Sequence, residues 1–117
     1  MNAIAFAFEV NPSFLKYSHP ITIPKIYDDK MRKTKLHEEL YRIVYPKGET
    51  LEAKMYYGRP GQDRDYYRLS VPKKYQKLPD YLQIHDRLIV VLVRYYGNNY
   101  AILEYIDRPN NRARLRT

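Results

Sequence analysis

Apolar and polar positions alternate over residues 3–10. Ile4, Phe6, Phe8 and Val10 fall on one side of an extended chain, and Ala3, Ala5 and Ala7 on the other. A period of two with one heavy face predicts a strand packed on that face. The stretch NPSFLKYSHP, with prolines at 12 and 20, then predicts a loop. Ile21-Thr22-Ile23 is largely β-branched and stops at Pro24. From Asp28 the spacing changes. Leu36, Leu40, Ile43 and Val44 recur at three- and four-residue intervals, which predicts a helix capped by Asp28 and running to about Tyr45. Pro46 and Gly48 would end it.

The second half follows strand periods. Residues 50–57 predict a strand, GRPGQDRD (58–65) a turn, and residues 66–71 a returning strand, together a long-looped hairpin. Residues 72–84 predict a short connector with one helical turn. Residues 87–96 predict a strong strand, GNN a tight turn, and 100–106 its partner. The tail RPNNRARLRT has too little apolar content to fold alone. The predicted class is mainly β with one helix, a β-rich α+β fold built on a small barrel-like sheet. It divides into an N-terminal strand-helix extension (1–49), a hairpin domain (50–107) and a basic, flexible tail (108–117). Two segments echo each other: ITIPKIY resembles LSVPKKY, and LEAKMYYG resembles VVLVRYYG. Two readings stand: a duplicated unit with an inserted helix, or an edge strand that ends at proline by its own logic.

Composition narrows the class. A chain of 117 residues with 44% hydrophobic content can bury one core. No run approaches the roughly 18 apolar residues of a membrane helix, so no membrane partner is expected. The start MNAIAFAFEV lacks a basic n-region and a small-residue cleavage site. The absence of cysteine removes disulfides, thiolate chemistry and cysteine–zinc sites, and fits an intracellular, cytoplasmic protein. Fourteen tyrosines, many lysines and arginines and no cysteine also suit a thermophile.

The net charge of +8 is localised. Residues 59–77 carry Arg59, Arg64, Arg68, Lys73, Lys74 and Lys77 against Asp63 and Asp65. The tail carries Arg108, Arg112, Arg114 and Arg116 with no acid, and the remainder is neutral. Two basic segments on a neutral body form the footprint of a polyanion binder, or else a solubility surface.

No catalytic set emerges. Gly58-x-x-Gly61 is an ordinary turn, the serines lack a base or an elbow, and Asp28-Asp29 and Glu38-Glu39 are adjacent residues that diverge on a helix. His37 has no second ligand at metal spacing. No enzyme, metal or cofactor is expected. The tyrosine pairs 56–57, 66–67 and 95–96 should each place one ring inward and one outward, mainly for packing. Their alternative use is stacking on single-stranded bases.

Arg68-Leu-Ser-Val-Pro72-Lys73, a short turn, Leu82, Asp86 and the run RLIVVLV together resemble the SpoVT/AbrB-like swapped-hairpin DNA-binding family, which includes AbrB-type regulators and MazE-type antitoxins. The resemblance covers about residues 50–106. His85 stands where that family usually has glycine. The resemblance implies a homodimer of interleaved hairpins, with strand 87–93 buried between chains. It also implies a duplex-facing set of Arg59, Arg64 and Arg68, with Lys73 and Lys74 beside them.

The expected function is a small basic DNA-binding protein, a transcription regulator or architectural factor. Arg59, Arg64, Arg68, Lys73, Lys74, Lys77, Arg108, Arg112, Arg114 and Arg116 would make the contacts. Two alternatives remain open. One is an antitoxin-like or virus-encoded inhibitor that meets an acidic protein. The other is a single-strand or RNA binder that uses surface tyrosines.

Overall fold

A computed structural model of the chain describes residues 2–59, 62–72 and 76–109, without the side chains of residues 59 and 62–64. Seven strands form one sheet: β1 (Asn2–Glu9), β2 (Ile21–Thr22), β3 (Leu40–Val44), β4 (Thr50–Arg59), β5 (Gln62–Ser70), β6 (Arg87–Tyr95) and β7 (Asn98–Asp107). Two short helices, α1 (Pro12–Lys16) and α2 (Asp28–Lys33), precede β3. The fold is the β-rich α+β class expected, with the sheet curled into a nearly closed barrel.

The strand order is β1-β6-β7-β3-β4-β5-β2. All neighbours are antiparallel except β3 and β7. A 3₁₀ turn just after β2, Lys25–Tyr27, meets β1 across the seam between the two end strands. Its Tyr27 hydroxyl donates to the Ala5 carbonyl of β1 at 3.3 Å, and its ring lies 6.4 Å from that of Phe6. The inward residues are those that alternation selects. Ile4, Ile43, Leu92 and Ala101 align across the sheet, and all are buried. Phe14 of α1 and Met31 of α2 are fully buried against this core.

Four expectations change. The long helix from Asp28 to Tyr45 is only α2, six residues, and Tyr27 rather than Asp28 is its N-cap. Lys35 then turns left-handed at φ 60°, and the chain enters β3. Tyr41, Ile43 and Tyr45 are the inward residues there, while Leu40 is 76% exposed. The three-and-four spacing of Leu36, Leu40, Ile43 and Val44 coincided with a strand pattern carried by tyrosines. A β-branched and aromatic Tyr-Arg-Ile-Val-Tyr run suits a pleated surface better than a helix.

The long-looped hairpin is instead two long strands. Arg59 stands opposite Gln62, so only positions 60 and 61 lie between β4 and β5. Gly58, at φ 74°, sits where the register shifts between Tyr57 and Arg59. A bulge of this kind takes up the extra residue that the turn chemistry had suggested. Among the described residues of the connector, 76–84, no helical turn forms. Side chains hold it. Gln76 accepts from the Glu52 amide at 2.7 Å and donates to the Glu52 and Pro72 carbonyls.

Strand β6 also differs from the interleaved picture. Both of its flanks are filled by its own chain, with β1 in register from Asn2 opposite Arg94 to Glu9 opposite Arg87, and β7 on the other side. Residues 1–49 therefore supply three strands to the common sheet. The echo segments prove to be neighbours: Ile21 of β2 faces Leu69 of β5, and Thr22 faces Arg68. β2 is the terminal strand of the sheet and ends before Pro24. No helix among the described residues is long and apolar enough to cross a membrane.

Candidate nucleic-acid interface

β5 sends Tyr67 and Leu69 inward, with Val71 just past its end, where all three are buried, and Tyr66 and Arg68 outward. Arg68 is centrally placed on its face, with Tyr56 of β4 on one side and Thr22 of β2 on the other. A groove of about 530 Å³ opens beside it. One wall is Arg68, Tyr66 and Thr22. The opposite wall is the α1 segment, which contributes Asn11, Ser13, Tyr17 and Ser18.

That wall is fixed from the sequence up. Pro12 occupies the first turn of α1, and the Asn11 side chain accepts from the Phe14 amide at 2.8 Å. The buried Phe14 ring stacks on His19 at 4.2 Å, and His19 Nδ1 meets the Tyr45 hydroxyl at 2.7 Å. Burial pushes the Tyr45 phenol well above its ordinary value, so it stays neutral and available for that bond. The Val71 amide donates to the Ser18 carbonyl at 2.8 Å, which ties the far end of the segment to β5.

Arg68 is half-buried, and its Nε is enclosed without a hydrogen-bond partner. No ion pair joins it to Asp65, which is exposed two strand positions beyond Tyr67 on the same strand. Among the described residues no carboxylate pairs with Arg68, the side chain of Asp63 lying outside them, and the enclosed Nε can donate to an incoming acceptor.

The remaining expected contacts fall differently. Arg59 and Arg64 lie on the facing ends of β4 and β5, near the hairpin tip, with their side chains outside the described set. Lys77 is exposed on the connector. Lys73, Lys74, Arg112, Arg114 and Arg116 lie outside the described residues. Arg108 is engaged inside the fold. Its Nε donates to Asp86 at 2.6 Å, and one Nη donates to Asp86 at 2.9 Å and to the Tyr81 carbonyl at 3.0 Å. Asp86 is fully buried, and the pairing raises the arginine further above its already high value.

The tyrosine pairs divide as strand geometry demands only in part. Tyr67 is buried while Tyr66 faces the groove. Tyr57 packs on Tyr67 with ring centroids 4.8 Å apart, and Tyr56 is on the other side of the strand, but both rings keep considerable exposure. Tyr95 and Tyr96 meet edge to face at the β6–β7 turn, where Tyr96 is left-handed and 85% exposed. Sequence reasoning missed Asn11, Ser13, Ser18 and Thr22. Each is a small polar residue in a segment that looks like any loop, and only the pairing of β2 with β5 brings them to Arg68. No protein-family model and no curated protein matches this sequence.

Proposed function

We propose that this chain binds duplex DNA through the groove at Arg68 and the adjoining tip of the β4–β5 hairpin, as a transcription regulator or architectural factor. The observation that carries the reading is Arg68 itself. It is a strand-borne guanidinium without an acidic partner among the described residues, facing amide and hydroxyl groups on a wall fixed by the Phe14–His19–Tyr45 stack. Such a guanidinium can grip a guanine edge or clamp a phosphate, and side chains of the Asn, Ser and Thr type contact phosphates and sugars. The arginines at 59 and 64, on the same hairpin, would extend the contact along the backbone. The resemblance of Arg68-Leu-Ser-Val-Pro-Lys to the swapped-hairpin family points to the same hairpin.

The single-strand alternative draws less support. Stacking platforms need exposed rings lined up on one face. Here Tyr96 is at the β6–β7 turn and Tyr57 lies beside Tyr67, so the rings on the Arg68 face are Tyr56, 38% exposed, and the half-buried Tyr66. The deciding experiment is a gel-shift panel with duplex DNA, single strands and RNA at several salt concentrations. Duplex preference with a steep salt dependence is expected, about 0.9 log unit of affinity per log unit of salt for each phosphate contacted. Binding to none of the three would move an acidic protein partner to first place.

A further inference from the structure

The groove beside Arg68 has the size of a receptor for one nucleotide. Its volume of about 530 Å³ falls within the roughly 300–1,000 Å³ of sites that hold a single small molecule. The α1 wall is tied to the core by the buried Phe14 and to β5 by the Val71–Ser18 bond, so the two walls hold their spacing. Paired strands do not fit between them. Among the described residues the lining carries one charged group, Arg68, and no acid. It is also aromatic on both sides, with Tyr66 on the β5 wall and Tyr17 on the α1 wall. These two rings make no contact with each other. Tyr17 is 52% exposed, and Lys16 Nζ lies over its ring, 5.5 Å from the centroid. Lys16 is not part of the groove lining, so the face of Tyr17 that it leaves uncovered is the one turned to a guest.

Building on the nucleic-acid reading of this groove, we infer that it takes one unpaired nucleotide, with the phosphate on Arg68 and the base between Tyr17 and Tyr66. The guanidinium fork matches two phosphate oxygens. Asn11 uses its Oδ1 to accept from the Phe14 amide, so its N–H donors remain for a phosphate or sugar oxygen. The Ser13 and Thr22 hydroxyls, on opposite walls, offer the same chemistry. An acidic peptide would meet the guanidinium but has no flat ring for the tyrosines. Inorganic phosphate would fill the Arg68 end alone.

A base held between rings on opposite walls needs no row of rings along a sheet. Every base has a π face, so the rings accept any of them, and binding should tolerate base identity. A single-stranded overhang presents such a nucleotide freely. Extruding one from inside a duplex costs unstacking and unpairing, so the overhang is the favoured source. The duplex beside it would then lie outside the groove, along β5 and the β4–β5 hairpin.

Two-dimensional amide NMR of the full chain, titrated with adenosine 5′-monophosphate, is the first arm of the test. Shifts should saturate and cluster at residues 13–18 and 66–69. Adenosine and inorganic phosphate should each bind severalfold more weakly. Tyr17→Ala should weaken the monophosphate by about fivefold or more and leave inorganic phosphate unchanged. Arg68→Ala should make adenosine and its monophosphate bind alike. Both side chains lie outside the buried core, and the amide spectra show directly that each variant is folded. The second arm is fluorescence anisotropy with a blunt duplex and with the same duplex carrying a short single-stranded overhang. The parent should prefer the overhang, and Tyr17→Ala should lose that preference while keeping its affinity for the blunt duplex. Amide shifts elsewhere, or none, together with equal binding of the two duplexes, overturn the inference and leave the duplex reading standing. Saturable binding of the monophosphate in the groove by a protein that ignores duplex DNA upholds the receptor and removes the duplex reading.

Discussion

Asp86 and Arg108 form a buried ion pair that joins the connector before β6 to the end of β7. The Asp86 carboxylate has no exposed surface and takes two nitrogens of Arg108, at 2.6 and 2.9 Å. It also accepts from the Gln83 amide at 2.8 Å, and the Asp86 carbonyl accepts from the Val10 amide. The guanidinium is thus the main neutralising charge for a carboxylate that cannot reach water. Arg108→Ala should cost about 3–5 kcal/mol, because it strands the buried charge. Urea unfolding of two truncations sharpens the point. Removing residues 109–117 should leave the midpoint nearly unchanged, and removing 108–117 should lower it sharply.

Alkaline pH should destabilise the protein before any single bond is broken by mutation. Burial raises the Tyr41 and Tyr45 phenols well above their ordinary value, and that of Tyr81 to about 12. In the unfolded chain these groups lose their protons near pH 10. Between about pH 10 and 12 the unfolded state therefore binds fewer protons than the folded state, and stability falls as pH rises. The melting temperature should be flat from about pH 7 to 9 and fall above about pH 10. Tyrosinate absorbance from these residues should appear together with unfolding. A melting temperature that does not fall on the alkaline side contradicts the assignment.

The fold was legible in the sequence where one period dominated. Alternation at Ile4, Phe6, Phe8 and Val10 and the apolar run of β6 located their strands to within a residue or two. The segment from Asp28 to Tyr45 misled because two periods overlap in it. Tyrosine, an amphipathic residue, was the inward member at 41 and 45, and Leu40 was not. Arg68 was legible as a candidate from its charge and its strand. The groove opposite was not, because it depends on β2 pairing with β5 across 46 to 48 positions of chain, Ile21 with Leu69 and Thr22 with Arg68. Arg108 could not be told from the other tail arginines by composition. Its role follows only from the burial of Asp86.

The Tyr45 hydroxyl should matter through His19. Tyr45→Phe removes a 2.7 Å bond inside the core that holds the α1 wall of the groove. The expected cost is about 1–3 kcal/mol. Denaturant titration measures it, and a change below the error of that titration would mean the hydroxyl is a bystander.

His85 occupies a left-handed position at φ 72°. Among the described residues its side chain meets Glu9 at 3.4 Å, on an exposed surface where such a contact contributes little. Glycine meets no Cβ penalty in that conformation. His85→Gly should therefore be neutral or stabilising by up to about 1 kcal/mol. The readout is the melting temperature; a clear loss would show that the His85 side chain holds the turn.

On the proposed reading, Arg68 meets nucleic acid. The most direct test is fluorescence anisotropy of labelled duplex DNA with Arg68→Ala and the parent, once a thermal melt shows that both are folded. The account predicts a loss of about 1–3 kcal/mol of binding free energy if Arg68 reads a base, with preference relaxed at one position. If it clamps a phosphate, binding to every sequence should weaken alike. A folded Arg68→Ala protein that binds duplex DNA as tightly as the parent would contradict the account.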